Sequence, residues 1–535
     1  MNKTPENQER RHAILSLTGA LLITVFAILV LWDGLNSVRY QMIGYDEGYN
    51  ATVAANLARH GTYSVSYPFD IVFYNLISTG PMVILPTALL YKLFGISYLT
   101  SGIVPVVYMV LSIAVLWLLF CRCYDKKEAG KLTAAITTVV LILSSTQLLD
   151  ASVHLLGETA CLFFLLGACL FYAKGYQLKK SSFLFISGLL VMTSFLTKST
   201  MIFFLVSLMG LVIIERLLGH ISIGNALSFY AGLGLGFLVL ELYKLFQLGN
   251  FSTWIEWWGY EWNNMLAQSG QIYEKPSISE KITELSSAFE MSKFAAVCIV
   301  LLPSILYLIL FVLSIRKHDA QINTAVYSVI MWGVSGSSLE VFFVLFGGSG
   351  LIYDRRHAIN VFFVKMVLLL CIGWLCLWGL TRFKTDRKHA MFAISLVLLL
   401  IAASFTPANV KTNAKLIVEK KCQDDYDKTL FRKYLTEIEE LDRDTNLLCY
   451  DWWQEPDITL FLDRHMIDIL RIDINSLDLE HSCFIVGRRF DDCTIETVEK
   501  EFDIKLKRIN KTIVDYDRLE SYGSHELFSI YSISR

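Results

Sequence analysis

Charged residues are scarce in this sequence, and neither sign of charge predominates. Only 18% of the 535 residues are charged, and the formal net charge is −2. A nucleic-acid-binding surface needs clustered lysine and arginine to neutralise phosphates, and the chain has no basic face of this kind. The composition therefore argues against a nucleic-acid partner.

Cysteine motifs, internal repeats and low-complexity tracts are also lacking. The eleven cysteines occur without a Cys-x-x-Cys pair, so no zinc or dithiol motif is indicated. Four of them lie in the polar C-terminal part, where they could form disulfides if that part is exported or remain buried thiols. These are Cys422, Cys449, Cys483 and Cys493. No small-residue cleavage site follows the first apolar segment, so we expect no cleavable signal peptide.

Long apolar segments are abundant. The chain is 54% hydrophobic, with a mean hydropathy of +0.49. Apolar segments of about 18 to 25 residues recur, and a helix needs roughly 20 residues to cross a bilayer. With the basic residues between alternate segments, they predict eleven transmembrane helices and a cytoplasmic N-terminus at residues 1–12. The predicted spans lie at about 13–32, 102–120, 132–149, 153–173, 182–196, 201–214, 223–246, 294–315, 324–346, 358–380 and 391–405.

The chain divides into two predicted parts. Residues 13–405 form a transmembrane domain with two large outer loops, at 33–80 and 247–292. From residue 406 the composition becomes mixed, with buried strands indicated at Leu447–Tyr450 and Cys483–Val486 and a helix at Phe431–Leu441. The fold class predicted is therefore a polytopic α-helical membrane protein with an extracytoplasmic α/β domain at 406–535. We expect it in the cell membrane.

Two adjacent carboxylates, Asp46 and Glu47, follow the first span. Acidic groups beside a bilayer are costly unless they face water, a partner or a ligand. Asp46 could act as a general base on a hydroxyl, while Glu47 orients it, binds a cation or holds the loop. Alternatively, Asp46 could be the N-cap of a helix that includes Glu47, where acidic residues are favoured. Spacing alone does not separate these interpretations.

Several motifs around this pair resemble the GT-C superfamily of membrane glycosyltransferases. They are Tyr45-Asp46-Glu47-Gly48-Tyr49, Ala54-Ala55-Asn56-Leu57-Ala58-Arg59-His60-Gly61, Ser78-Thr79-Gly80-Pro81, Leu93-Phe94-Gly95, Leu156-Gly157-Glu158-Thr159 and Leu196-Thr197-Lys198. Their order over residues 13–400 is similar to protein O-mannosyltransferases and lipid A aminoarabinose transferases. The third motif departs from the Lys-Pro-Pro usual in the latter. The resemblance implies the GT-C fold and a polyprenyl-phosphate-linked sugar donor used at the extracytoplasmic face.

The resemblance also implies roles for individual residues. Asp46 corresponds to the proposed base of the family, and the transfer would invert the anomeric carbon by direct displacement. The leaving lipid phosphate needs cations, and Lys198, Arg355 and Arg356 are cations at the predicted outer face. Each of the three could instead be an interfacial anchor.

Three polar residues surround the predicted start of the fourth span. Asp150, His154 and Glu158 are spaced i, i+4, i+8 and would share one helical face. They could bind a metal or sugar hydroxyls, but i and i+8 lie about 12 Å apart along a helix, so a hydrogen-bonded polar track is preferred. Glu158 matches the Gly-Glu signature of the family. Glu158, His154 and Tyr45 are the further substrate-binding candidates; no metal is required, although a divalent cation is compatible.

Four tryptophans recur along one helical stripe of the second outer loop: Trp254, Trp257, Trp258 and Trp262. Because tryptophan is enriched at membrane interfaces, an amphipathic helix lying on the bilayer is the preferred interpretation. Stacking on a sugar is the alternative.

The sequence thus predicts a glycosyltransferase that moves a sugar from a polyprenyl-phosphate donor to a hydroxyl of a glycan, lipid or protein acceptor. Its partners would be the donor, the acceptor and the bilayer. A transporter or flippase of lipid-linked sugars, or a non-catalytic scaffold on the same fold, remains open. Transporters often contain inverted repeats and broken helices at the midplane, whereas here no repeat is found and the acids cluster near the outer surface.

Overall fold

The computed structural model of the protein describes residues 5–40, 43, 45–65, 71–73, 77, 79–124, 130–268, 277–288, 293, 305, 324–346, 354–382, 428–450, 456–487, 495–510 and 528–535. The helices in its membrane part are α1 (Pro5–Tyr40), α2 (Tyr45–His60), α3 (Pro81–Phe94), α4 (Tyr98–Tyr124), α5 (Gly130–Leu143), α6 (Thr146–Ala151), α7 (Glu158–Leu178), α8 (Ser181–Thr197), α9 (Ile202–Leu217), α10 (Ile223–Leu248), α11 (Phe251–Gln268), α12 (Ile278–Ala288), α13 (Thr324–Phe346) and α14 (Asp354–Arg382). The predicted spans at 294–315, apart from residue 305, and at 391–405 lie outside these residues.

Six helical segments within the described ranges are long and apolar enough to cross a membrane. They are Ala13–Arg39, Tyr98–Tyr124, Glu158–Leu178, Ser199–Leu217, Ile223–Leu248 and His357–Trp374. The shorter α3, α5 and α8 are apolar too. Leucines remain exposed on these helices, for example Leu17 and Leu217, at 72% and 80%, which suits a hydrocarbon solvent. The prediction of a polytopic helical membrane protein is confirmed, while the count of eleven spans stays a prediction.

The third predicted span is not one helix. It is interrupted between Leu143 and Thr146, because the hydroxyls of Ser144 and Ser145 both hydrogen-bond to the carbonyl of Leu141, at 2.8 Å each. Such side-chain bonds compete with the helical backbone pattern. In α14, the ammonium group of Lys365 donates to the carbonyl of Ser144 at 2.6 Å and so satisfies a group at this break.

The fourth span begins later than predicted. Gly157 adopts a left-handed conformation with φ +91°, so α7 starts at Glu158 and residues 152–157 form a turn after α6. A residue with a side chain rarely adopts this conformation, whereas glycine does so readily. The single helical face predicted for Asp150, His154 and Glu158 is therefore wrong, since the three lie in α6, in the turn and in α7 respectively.

The tryptophan-rich segment forms α11 and docks on the end of α10. The indole N–H groups of Trp254 and Trp258 donate to one carboxylate oxygen of Glu241, at 2.8 Å each. The ammonium group of Lys244 lies 3.4 Å from the centre of the Trp257 ring, a cation–π contact. Three of the four indoles are thus engaged in packing α11 on α10, and Trp262 is 61% exposed.

The C-terminal part is a small α/β domain, as predicted. It contains a helix at 428–439, here α15, followed by β1 (Asn446–Cys449), α16 (Pro456–Leu462), β2 (Met466–Asp468), β3 (Ser482–Val486), α17 (Ile495–Phe502), β4 (Lys505–Arg508) and β5 (Ser529–Ser534). The strand order is β2-β1-β3-β5-β4, with β1 parallel to β2 and β3. Cys449 and Cys483, on the neighbouring strands β1 and β3, are buried; Cys422 and Cys493 lie outside the described residues.

Candidate active site

The turn at 152–157 is the centre of the candidate site, and Glu47 holds it from α2. The buried carboxylate of Glu47 accepts hydrogen bonds from the backbone N–H of Leu155, at 2.9 Å, and from Nδ1 of His154, at 2.8 Å. One turn along α2, the amide of Asn50 donates to the carbonyl of Leu155 at 2.6 Å. Ala51, beside them, is fully buried, and its small side chain allows the helix to approach closely. Glu47 and Asn50 therefore clamp one residue of the turn.

Asp46 lies in the first turn of α2, next to Glu47, and is half-buried. Asp46 is the second residue of the helix and not its N-cap, and the positive end of the helix dipole favours both carboxylates here. Successive helical residues point about 100° apart, so Asp46 projects to a different side of α2 from Glu47. Because Glu47 is hydrogen-bonded to residues of the turn, it fixes the position of α2, the helix that contains Asp46.

A second pair contacts the same turn: Lys198, at the end of α8, and Glu158, at the start of α7. The ammonium group of Lys198 donates to Oε1 of Glu158 at 2.5 Å and to the carbonyl of Leu156 at 3.0 Å. Both side chains are buried, at 8% and 2% exposure. An ammonium group has three N–H donors, and these two described contacts use two of them. One donor therefore remains with which Lys198 could contact a ligand.

Three of the motifs that carry the family resemblance meet beside this pair. The N–H of Gly80 donates to the carbonyl of Thr197 at 2.7 Å, and the hydroxyl of Thr79 donates to the same carbonyl at 3.4 Å. A Cβ atom on Gly80 would lie 1.9 Å from the carbonyl oxygen of Leu196, so only glycine fits. A Cβ on Gly157 would likewise lie 2.3 Å from the Thr79 hydroxyl. The absence of a side chain on these two glycines therefore lets the three segments approach one another closely.

A small cavity lies against Glu47, enclosed by α1, α2, α4 and the turn. Its lining includes Val38, Tyr98, Ser101 and Leu155. Tyr98 is mostly buried, at 9% exposure. The cavity places space for a small group next to Glu47.

The polar track predicted from Asp150 to Glu158 is divided between two separate contacts. His154 lies 3.8 Å from Asp150 and 2.8 Å from Glu47, whereas Glu158 pairs with Lys198. Within the described ranges, no group of three or more His, Cys, Asp or Glu residues is arranged to hold a metal. A divalent cation stays an untested possibility.

For three further predicted residues the structure describes the backbone only. The side chains of Tyr45, Arg355 and Arg356 are outside the described residues, although α2 begins at Tyr45 and α14 begins at Asp354.

Sequence reasoning missed Asn50, whose signal was a polar residue one helical turn after the acids. It also missed a buried pair between Glu340 and His357, 2.7 Å apart. An acidic residue inside a span is a functional candidate by default, and this was the available signal.

The contact between Glu47 and His154 depends on pH, because the imidazole of His154 can lose its proton. Burial lowers the pKa of the imidazole, but the charge of Glu47 and the hydrogen bonds to Asp150 and Glu47 outweigh it and raise the pKa to about 10. In the unfolded chain a histidine titrates at about 6.5. The pair therefore stabilises the folded protein fully below about pH 6.5, and this stabilisation is lost as the pH rises through about 10.

We expect the stabilising effect of this ion pair to disappear at high pH. The wild type and Glu47→Gln should differ most in unfolding temperature at about pH 6, and the difference should shrink toward about pH 10, because His154 then loses its charge. Thermal unfolding in detergent at several pH values measures it. A difference that does not change with pH would show that His154 is neutral in the folded protein.

Comparisons with known proteins give one family match and similar solved structures. The family described as dolichyl-phosphate-mannose-protein mannosyltransferase matches residues 78–243. No curated protein sequence matches the chain significantly. Among solved structures, ArnT from Cupriavidus metallidurans bound to undecaprenyl phosphate is similar with a TM-score of 0.58 at 11% identity, over 96% of this chain and 97% of that chain. Its apo state is similar with a TM-score of 0.55 at 12% identity over the same shares.

The match to residues 78–243 covers the Ser-Thr-Gly-Pro, Gly-Glu and Thr-Lys motifs that converge at the 152–157 turn. The structural similarity extends over almost the whole chain, including the C-terminal domain. The chain has the GT-C fold, and its resemblance to the GT-C superfamily is confirmed.

Proposed function

We propose that the protein is a glycosyltransferase that transfers a sugar from a polyprenyl-phosphate donor to an acceptor hydroxyl at the extracytoplasmic face of the membrane. The observation that carries the proposal is the convergence of the Asp46-Glu47, Gly157-Glu158 and Thr197-Lys198 motifs around one turn of a GT-C fold. Support for the donor class comes from the mannosyltransferase family match and from the undecaprenyl phosphate bound to ArnT.

In the proposed reaction, Asp46 is the general base. Its carboxylate accepts the proton of the acceptor hydroxyl as the hydroxyl oxygen attacks the anomeric carbon of the sugar. The bond from that carbon to the phosphate oxygen breaks, polyprenyl phosphate leaves, and the anomeric configuration inverts. Glu47 holds the helix that carries the base and takes no proton in this scheme.

Negative charge develops on the leaving phosphate, and cations fixed nearby stabilise it without reorganising. Lys198 is proposed to contribute the N–H that Glu158 and Leu156 do not use. Arg355 and Arg356 are proposed to reach the same phosphate, since arginine can bind two of its oxygens at once. No metal ion is required for charge neutralisation in this scheme.

The proposal is tested with purified protein in lipid nanodiscs, a panel of radiolabelled polyprenyl-phosphate sugars and cell-envelope acceptors, with and without a chelator. We expect label to move to an acceptor for one member of the panel, and to continue moving with the chelator present. If no donor is consumed, but liposomes containing the protein equilibrate lipid-linked sugar between leaflets, the transporter interpretation replaces the enzyme.

A further inference from the structure

The C-terminal domain contacts both of the helices that meet next to Asp46, α1 and α2. Asp46 lies just after the junction of α1, which ends at Tyr40, and α2, which begins at Tyr45. The domain contacts the last turn of α1 and the last turn of α2, on either side of this junction. These contacts are distant in sequence and are not part of the reaction scheme above.

At the end of α1 the contact is made by Lys428, in α15. Its ammonium group donates to the carbonyl of Arg39 at 2.5 Å and lies 3.4 Å from the carbonyl of Val38. Carbonyl groups at the end of a helix have no partner within the helix, and a cation there also interacts favourably with the helix dipole. Lys428 is 3% exposed. Because a buried charge without partners would be costly, these hydrogen bonds stabilise the buried ammonium group of Lys428.

At the end of α2 the contact is made by Arg59. Its guanidinium group donates to Oδ1 of Asp463 at 3.1 Å and to the carbonyl of Leu460 at 3.0 Å. Leu460 lies near the end of α16 and Asp463 follows directly after it; α16 packs on α2. The fork geometry of arginine defines the direction of this contact as well as its distance. The far end of α2 is therefore fixed to the domain in position and angle.

A third contact joins the domain to the cavity beside Glu47. The ring of Tyr98 has the ammonium group of Lys428 4.2 Å from its centre and the ring of Phe461 5.1 Å away. Tyr98 lines the cavity that Glu47 also lines. The domain thus supports one wall of this cavity while it holds both helices.

We propose that the C-terminal domain positions the catalytic base, with Lys428, Arg59 and Asp463 as positioning residues. The inference rests on the proposed function of Asp46. Holding the ends of α1 and α2 fixes where the first turn of α2 lies relative to the donor and the acceptor. A displacement of about 1 Å at a reacting group can lower a rate by about 100-fold. The domain therefore sets the rate of transfer without contacting the reacting atoms.

The first test compares Lys428→Met with Lys505→Met in the full chain. Lys505 lies in the same domain, 74% exposed and paired with Glu499, so its replacement is a matched control. We expect Lys428→Met to lower kcat by about 10-fold or more, with the KM for donor unchanged, because orientation rather than binding is lost. Lys428→Arg, which keeps a cation at the helix end, should restore most of kcat. The control should behave as the wild type.

Hydrogen exchange of α2 is measured on the same variants, and it needs no turnover. We expect faster exchange at residues 45–60 in Lys428→Met and in Asp463→Asn, and wild-type exchange in Lys505→Met. Asp463 is 46% exposed, so its replacement leaves the domain folded. Wild-type exchange in both single variants, or faster exchange with unchanged kcat, would overturn the positioning role.

The two proposals can fail separately. If the wild type transfers no sugar while α2 still loosens in Lys428→Met, the proposed function is wrong and the domain holds α2 for another purpose. If the wild type is active and the variants keep both kcat and slow exchange, only the positioning role is wrong.

Discussion

Replacing Asp46 by asparagine is expected to lower the rate of sugar transfer by about 100-fold to 10,000-fold. Asparagine has nearly the same size and shape but cannot accept the proton of the acceptor hydroxyl. Donor binding should stay at the wild-type value, and the unfolding temperature should fall less than in Glu47→Gln, because the side chains of Glu47 and Asn50 make the hydrogen bonds to Leu155 that hold α2 on the turn. Single-turnover transfer of labelled donor, with equilibrium binding of the same donor, separates the two steps.

Two variants make this experiment specific. Asp33→Asn removes a carboxylate at an exposed position of α1 and should transfer sugar at the wild-type rate. Glu47→Gln should lower stability as well as rate, because it uncouples α2 from His154 and Leu155. Wild-type transfer by Asp46→Asn would remove Asp46 as the base, and equal losses of stability in Asp46→Asn and Glu47→Gln would assign both acids to folding.

Removing either partner of the Lys198–Glu158 pair is expected to cost about 3–5 kcal/mol of stability. Each change leaves the other charge buried, at 8% or 2% exposure and with its main partner gone. Replacing both partners by apolar residues, Lys198→Met with Glu158→Leu, should recover most of the loss, because no uncompensated charge is left. Chemical denaturation of the two single variants and the double variant measures the coupling.

The same variants decide whether Lys198 contacts the donor phosphate. If it does, the double variant regains stability but binds polyprenyl phosphate more weakly than the wild type. A double variant that regains both stability and affinity would show that the pair only holds the 152–157 turn. Lys174→Met, at a half-buried position near the other end of α7, is the matched control for removal of a lysine.

Much of the fold could be predicted because the bilayer imposes simple rules. Helices α4, α10 and α13 lie close to their predicted limits, since a continuous apolar segment in lipid has few alternatives to a helix. The break at Ser144 and Ser145 was not predicted. It depends on side-chain hydrogen bonds that compete with the helix, and the same two serines could also face a neighbouring helix without breaking it.

The sequence singled out several residues that the fold brings together at one turn, but it did not show how they pair. Resemblance identified Asp46, Glu47, Glu158 and Lys198, and apolar periodicity could not show that Glu47 would hold Leu155 while Lys198 holds Leu156. Both contacts involve a backbone group of the turn, the N–H of Leu155 and the carbonyl of Leu156. Because leucines elsewhere in the chain have the same backbone groups, the residue types do not show which of them a side chain will contact. The left-handed conformation of Gly157 creates that turn; the glycine was visible, but its conformation is set by the packing around it.

The contact between Arg59 and Asp463 joins residues 404 positions apart, and that between Lys428 and Arg39 spans 389. A ribosome makes the first partner of each contact long before the second. The membrane helices can insert one after another, yet the neighbourhood of Asp46 is complete only when the last quarter of the chain has been synthesised and delivered to the same side. The ends of α1 and α2 therefore gain these contacts only after residue 463 has been made, and a nascent chain stalled before residue 428 has the Asp46-Glu47 motif but neither contact.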